Sequence, residues 1–409
     1  MKTLARMRVS ILLLLMSVAW SVQVSAALPI RTLGERELLD MMVGAAIQSS
    51  RSAATDEMVE RIKAAMAAGQ TFTMIDVKDV PDDWLTVVAS GVGGGGAWDY
   101  VVERTRGQNL PLEREPMLLA VKSLSQHLGR KFQGVVRSEA GWATLDALLI
   151  ASALGVPVID GCMTGRSVPS MQQSTTFANG IAGAPGVLVT QWGDIITINK
   201  AVDDYRLEDL ARGIAVASGG SVELASNVLT GAQIRRAIIP GAFSQAILFG
   251  RAVREAREGG RDPVAALVAR SGGYKLFQGA VVRSDMKREG GFNWVDVEIK
   301  GTGEFAGHAY KVFVKNENLV TWFDGAPDAM APDFIANVDP VSGRATSSEG
   351  VGIGGYILNA EVAMVGIPAS PLWRTPEGIR IVGPRAFGFD FDYVPVETLQ
   401  RRRPRLAAP

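Results

Sequence analysis

The chain reads as an α/β protein: an N-terminal layered α/β domain followed by a mainly β, barrel-like C-terminal domain. Three observations predict this. Helix-periodic segments alternate with short apolar runs as far as residue 275. From residue 276 the apolar period changes to two, with Gly, Asp and Pro at the turns. The 409 residues are 47% hydrophobic and 21% charged, enough apolar material for more than one core.

The elements follow in order. "MKTLARMR" is basic, "VSILLLLMSVAW" is a short apolar run, and "VSA" has small residues at the spacing of a signal-peptide cleavage site. Residues 1–26 are therefore expected to be a secretory leader, with export to a periplasm and a slightly acidic mature chain. No later stretch is long enough to span a membrane, so no stable span is expected after cleavage. "ERELLDMMVGAAI" and "TDEMVERIKAAMAAG" carry helical spacing, the second with a Thr/Asp cap and a glycine stop. "TFTMIDV" and "DDWLTVVASG" read as strands, "PMLLAVKSLSQHLG" and "WATLDALLIASALG" as helices ending in glycine. "FQGVVRSEAG" and "VPVIDG" read as strands leading into turns. "GVLVTQWG" and "DIITINK" read as strands, and "LEDLARGIAVASGG" and "AFSQAILFGRAVREAREGG" as helices. Beyond 276, "GAVVRSD", "NWVDVEIKG", "HAYKVFVKNENLVTWF", "YILNAEVAMVGI" and "GIRIVGP" read as strands, with no good helix among them. The expected organisation is a leader at 1–26, an α/β domain at 27–180, a mixed connecting region at 181–275, a β domain at 276–397 and a solvated basic tail at 398–409.

Lys+Arg and Asp+Glu both number 42, so no basic field points to nucleic acid. A single cysteine, Cys162, cannot form an internal disulfide. The only histidines are His127 and His308, which argues by count against a histidine zinc site or a Ser-His-Asp triad. Any metal would be held largely by carboxylates, with Cys162 as the one soft ligand. A divalent cation therefore stays open as a cofactor, and no other cofactor is expected.

"SGVGGGGAWDY" satisfies G-x-G-x-x-G after a strand. The following "RGQNLPLEREP" is no strand, and no Lys-Ser/Thr follows the glycines, so neither a dinucleotide nor a nucleotide-phosphate loop is indicated. The loop reads instead as backbone that closely approaches a ligand, with amides at Gly94 and Gly95 free to meet an anionic group. "RSEAGW" and "IDGCMTGR" both leave apolar strands, where ligands bind in open α/β sheets. Glu139 and Asp160 are expected to face one crevice, beside Cys162 and Arg166. The plainer alternative has Asp160 capping a turn and Arg166 pairing with it. "NENL" reads as a loop turning polar groups inward, Asn316 among them, and "GPRAFGFDFDYVP" as a packed turn.

At these motifs the chain resembles the S-methyl-thiohydantoin desulfurase family, over residues 31–397. "GPRAFGFDFDYVP" is the most specific match, and "NENLV", "VDPVSGRATSSEG" and "PLWRTPEGIRIVG" are similar to family segments. "ALGVPVIDGCMTGRSVPSMQQST" resembles a strand, an Asp-x-Asp-like turn, Gly-Arg and Pro-Glu. "SEAGWATLDALL" resembles a Glu-Ile-Gly-Gly segment. The chain departs from the pattern where Cys162 and Ser170 replace acids, where the glycines fall at 93–96, and in its leader. The resemblance implies the two-domain fold above. It also implies hydrolysis of a cyclic ureide, in which S-methyl-thiohydantoin and water give hydantoin and methanethiol. Asp160, Cys162, Arg166 and Glu139 are then the catalytic candidates, and Gly94, Gly95, Asn316 and Arg385 the candidates for holding substrate.

Three chemistries remain open. Asp160 or Glu139 deprotonates water that attacks ring carbon C2, with Arg166 and backbone amides stabilising the developing charge, with or without a metal. Alternatively the Cys162 thiolate attacks C2, its pKa lowered by Arg166, although no histidine stands near to serve as base. Or the protein is an exported, non-catalytic binder of a small ureide. Homo-oligomerisation is left open by all three.

Overall fold

The computed structural model describes residues 28–49, 55–93, 97–346 and 356–403. The expected leader, and Gly94 and Gly95, lie outside the described residues.

The first unit begins with β1 (Arg31–Thr32) and α1 (Glu35–Gln48). Glu37 reaches back to accept from the Gly34 amide at 3.1 Å, satisfying one of the free donors at the α1 N-terminus. There follow α2 (Thr55–Ala67), β2 (Thr73–Asp76), β3 (Leu85–Gly93), α3 (Asp99–Arg106), α4 (Pro116–Leu128), β4 (Gly134–Arg137), α5 (Trp142–Leu154) and β5 (Val158–Cys162). Helices α4 and α5 stop at Gly129 and Gly155, whose φ values of 63° and 68° are the left-handed caps their sequences predict. The unit continues through α6 (Thr175–Ala178), β6 (Gly186–Val189), β7 (Ile195–Ile198), α7 (Asp204–Ala217), β8 (Ser221–Thr230), α8 (Gly231–Ala237), β9 (Ile239–Pro240), α9 (Ala242–Glu258) and α10 (Pro263–Ser271).

The strands form one sheet in the order β1-β2-β5-β4-β3-β8-β6-β7, with β9 against β5. Strands β2, β5, β4 and β3 are parallel, and β8, β6 and β7 extend the sheet antiparallel. Helices cover both faces, so β4 and β5 are buried along their whole length. Strand β8 was not legible as a strand: "SVELASNVLT" carries an acid and an asparagine that interrupt its apolar pattern.

The second sheet comprises β10 (Tyr274–Glu289), β11 (Phe292–Gly301), β12 (Ala309–Lys315), β13 (Glu317–Phe323), β14 (Ala326–Met330), β15 (Phe334–Val338) and β16 (Glu361–Ile367). Its order is β14-β13-β12-β11-β10-β16-β15, antiparallel throughout, curled into a half-barrel. Strands β10 and β11 turn at Gly290 and Gly291, whose φ values of 61° and 80° suit a two-residue hairpin loop. Strand β16 is buried on both faces: Val362 and Met364 enter the barrel core, while Ala363, Val365 and Ile367 join the core of the first unit. That shared core fixes the two units against each other.

Two short helices depart from the all-strand expectation, α11 (Pro376–Val382) and α12 (Val396–Arg402). Thr375 caps α11 by accepting from the Gly378 amide at 3.1 Å, with Pro376 at its first position. The basic stretch from 398 is not simply solvated in its described part. Gln400 donates to Asp328 at 2.8 Å, and the Arg403 guanidinium lies 3.8 Å from the Phe323 ring centroid.

Candidate functional site

A cavity of about 660 Å³ opens where the carboxyl ends of β3 and β4 meet β8, α5, α7 and the second sheet. This is where ligands bind in open α/β sheets. Along its length runs one face of α5: Trp142, Asp146, Leu149, Ile150 and Ala153 all line it, at helical spacing. The end near the start of α5 is polar and buried, with Ser138, Thr164, Asn227, Asn316 and Glu317. The Ser138 hydroxyl there has no hydrogen-bond partner among the described residues. The cavity opens to solvent where Arg61, Gln70 and Arg114 are exposed, and the Arg61 guanidinium lies 5.4 Å from the Trp142 ring centroid.

Among the carboxylates that line the cavity are Asp146 and Glu223. Asp146 is the one charged residue of α5, and Glu223 the one charged residue of β8. Burial pushes the Asp146 pKa up to about 6, with the Arg61 charge opposing. Burial pushes Glu223 up to about 7; the negative charge of Asp146 adds to the rise and Arg61 again opposes it. Gly91 lies opposite Glu223 in the sheet, and a Cβ there would sit 3.4 Å from Glu223 Oε2, so glycine leaves the carboxylate room. Sequence reading missed both acids. The signal that marks them is a lone acid in an element otherwise without charge, since such an acid is drawn into an apolar setting.

Arg212, on α7, closes one side. It donates to the Gly93 carbonyl at 2.7 Å, to the Gly291 carbonyl of the second sheet at 3.2 Å and to the Pro169 carbonyl at 3.2 Å, and pairs with Glu208 at 2.7 Å. These bonds hold the hairpin tip, the β3 end and the 168–171 loop around the cavity.

The structure distributes the candidates from the sequence as follows. Glu139 and Asn316 line the cavity. Glu139 Oε2 accepts from the Val168 amide at 3.0 Å, which fixes the loop after Arg166. Asn316 has a φ of 57° and accepts from the Asn293 amide at 2.9 Å, so its side chain also shapes the β12–β13 turn. Asp160 does not line the cavity. Its carboxylate caps α9, accepting from the Phe243 and Ser244 amides at 2.8 and 3.1 Å and from the Ser244 hydroxyl at 2.5 Å.

Cys162 also lies outside it, fully buried beneath the floor. Its thiol donates to the Ser138 carbonyl at 3.3 Å and accepts from the Thr164 and Gly165 amides at 3.4 and 3.2 Å. Arg166 is buried at the junction of the two units and donates to the Asp333 carbonyl at 2.7 Å and the Asn318 carbonyl at 2.6 Å. Burial lowers its pKa to about 10, with Glu317, Asp333 and Glu139 opposing. It does not pair with Asp160 and is spent on structure. Arg385 is exposed on the far segment and pairs with Asp390 and Asp392 at 3.0 and 2.7 Å. Asp160 and Arg166 found partners in distant segments that sequence spacing does not reveal, whereas Arg385 pairs with acids five and seven residues on. Among the described residues, no group of three or more His, Cys, Asp or Glu side chains is arranged to hold a metal ion. No helix among them is long and apolar enough to cross a membrane.

Comparison with known proteins gives a consistent picture. A crystal structure of a protein from Chromobacterium violaceum, determined by structural genomics, superposes with a TM-score of 0.67 over 90% of this chain and 100% of that one. Its sequence is 22% identical, so the likeness shows the fold alone. No curated protein matches the chain. Residues 36–200 match the S-Me-THD-like N-terminal domain and residues 202–396 the S-Me-THD-like C-terminal domain. With both domains matched in order across nearly all of the described residues, this chain belongs to the S-Me-THD-like family.

Proposed function

We propose that the cavity binds a small cyclic ureide of the S-methyl-thiohydantoin or hydantoin type and hydrolyses it at ring carbon C2. The observation that carries this reading is the Asp146–Glu223 pair, two carboxylates with proton affinities raised into the working range inside one ligand-sized cavity. A group of pKa near 7 suits a general base at neutral pH.

In the ionised form Glu223 takes a proton from a water molecule, whose oxygen bonds to C2. The C2=N pair moves onto the ring nitrogen, which gains the second water proton as the C2 carbonyl forms. The C2–S bond breaks, and the leaving sulfur receives the proton held by Glu223, giving hydantoin and methanethiol. The unpaired Ser138 hydroxyl is a hydrogen-bonding group for the ring's heteroatoms at the polar end. Glu139, already held by the Val168 amide, is a second acceptor there.

The test is methanethiol release from a model S-methyl-thiohydantoin, run with and without a chelator so that a metal requirement shows. Parent activity together with loss of at least about 100-fold in Glu223→Gln supports the reading. Equal turnover by both proteins refutes the role given to Glu223.

A second reading, a non-catalytic ureide binder, is favoured by Cys162 and Ser170 standing where the family resemblance has acids. Ring binding without thiol release would select it. We also propose export on the strength of the leader pattern; a mature N-terminus at Ala27 by mass spectrometry supports it, and a retained Met1 refutes it.

A further inference from the structure

We infer that the ring this protein takes carries an extended apolar substituent at C5. The inference rests on the ureide reading above and names the substrate class within it. Trp142 and Ala153 both line the cavity from one helix. Eleven residues at the α-helical rise place them roughly 16 Å apart, so the cavity is at least that long. A five-membered ring with its methylthio group has about eight non-hydrogen atoms and fills on the order of 130 Å³ at close packing, a small part of the 660 Å³ present. The bare ring would leave most of the cavity to water.

The walls change character along this length. The deep end offers Ser138, Thr164 and Asn316 for the ring's N–H and carbonyl groups. Asp146 comes one helical turn beyond Trp142, within reach of a ring held at that end. Past Asp146 the lining includes Leu149 and Ile150 from α5 and Met117 and Leu118 from α4. That stretch is apolar on two facing helices, and it begins where a ring substituent would leave the carboxylate pair. C5 is the ring carbon that carries a side chain in ureides built from amino acids. A branched alkyl or arylalkyl group there would displace the water and cover the apolar walls. An anionic substituent would instead have to pass Asp146 and Glu223.

Calorimetry and turnover with the intact protein test this. The probes are the S-methyl-thiohydantoins and the corresponding hydantoins bearing hydrogen, methyl, isobutyl, benzyl or carboxymethyl at C5. The expected result is a rise in kcat/KM, and in hydantoin affinity, of about 10- to 100-fold from hydrogen to isobutyl or benzyl, with carboxymethyl weakest. Leu149→Trp should cut the benzyl-to-hydrogen ratio by about tenfold, because it fills the apolar stretch. Turnover of all five rings at equal efficiency overturns the substituent inference and leaves the ureide reading standing. Preferential binding of benzylhydantoin with no turnover supports the inference and removes the hydrolytic step. No binding and no turnover of any ring overturns both.

Discussion

Asp146 and Glu223 line one cavity from a helix and a strand, and the charge on the first makes the second hold its proton more tightly. Loss of the Asp146 charge should therefore be read at Glu223.

The pH profile follows. Glu223 works as a base only when ionised, so kcat/KM for ureide hydrolysis should rise with pH along a limb centred near its pKa of about 7. Asp146→Asn removes the neighbouring negative charge and should move that limb down by about half a pH unit or more. A limb that stays in place in Asp146→Asn would break the link between the two carboxylates.

The same pair makes a stability prediction of defined sign. Both folded-state pKa values lie above ordinary carboxyl values, at about 6 and about 7. Folding therefore favours the protonated forms. This contribution is complete below the unfolded carboxyl pKa, near 4, and is lost as pH rises through 6 to 7. Asp146→Asn should leave stability unchanged at pH 4 and raise it by about 1–2 kcal/mol at pH 8, after allowing for exposure to the cavity. Denaturant midpoints at the two pH values measure this.

Asp160 should behave as a structural group. Asp160→Ala removes the acceptor for two α9 amides and one hydroxyl, and should cost about 1–2 kcal/mol. Turnover per folded molecule should stay within a few-fold. A loss of about 100-fold in kcat with an unchanged melting temperature would restore Asp160 to the chemistry.

Cys162 should be inert while the protein is folded. A thiol reagent should label it only as the chain unfolds, because no surface of the residue is exposed. Cys162→Ser should keep turnover within about tenfold, which a covalent thiolate mechanism would not survive. Fast labelling of the native protein would contradict the structure.

Asp333 is the most heavily partnered buried acid at the junction of the units. It pairs with Arg374 at 2.8 Å and accepts from the Ala369 and Val396 amides and the Tyr393 hydroxyl at 2.8, 2.6 and 2.8 Å. Asp333→Ala leaves two amides and the Tyr393 hydroxyl without their acceptor while Arg374 keeps its pair with Glu397, and should destabilise the protein by about 2–4 kcal/mol. Chemical denaturation checks this. A cost below about 1 kcal/mol would show that the network contributes little.

Much of the architecture was legible before the structure. The glycine stops of α4 and α5 and the apolar runs of β4 and β5 are local facts, set by backbone conformation and burial within a few residues. The change to period two near residue 276 anticipated a second sheet that begins at Tyr274. The motifs carried the family resemblance, and two candidates, Glu139 and Asn316, line the cavity.

The sequence by itself thus determined most element types, the fold class and the family, while it misread "GIRIVGP", which lies largely in α11, as a strand and missed β8 and α12. Tertiary structure decided which charged groups were left for chemistry. Asp160 is consumed by a helix start 83 residues later, and Arg166 by carbonyls 152 and 167 residues away. Asp146 and Glu223, by contrast, are separated in sequence and meet only because α5 packs over β3 where β8 joins the sheet. The reason is physical. Helix caps and strand periods depend on neighbours within a turn or two, whereas the partner of a buried charge is selected by packing between distant segments, which sequence spacing does not encode.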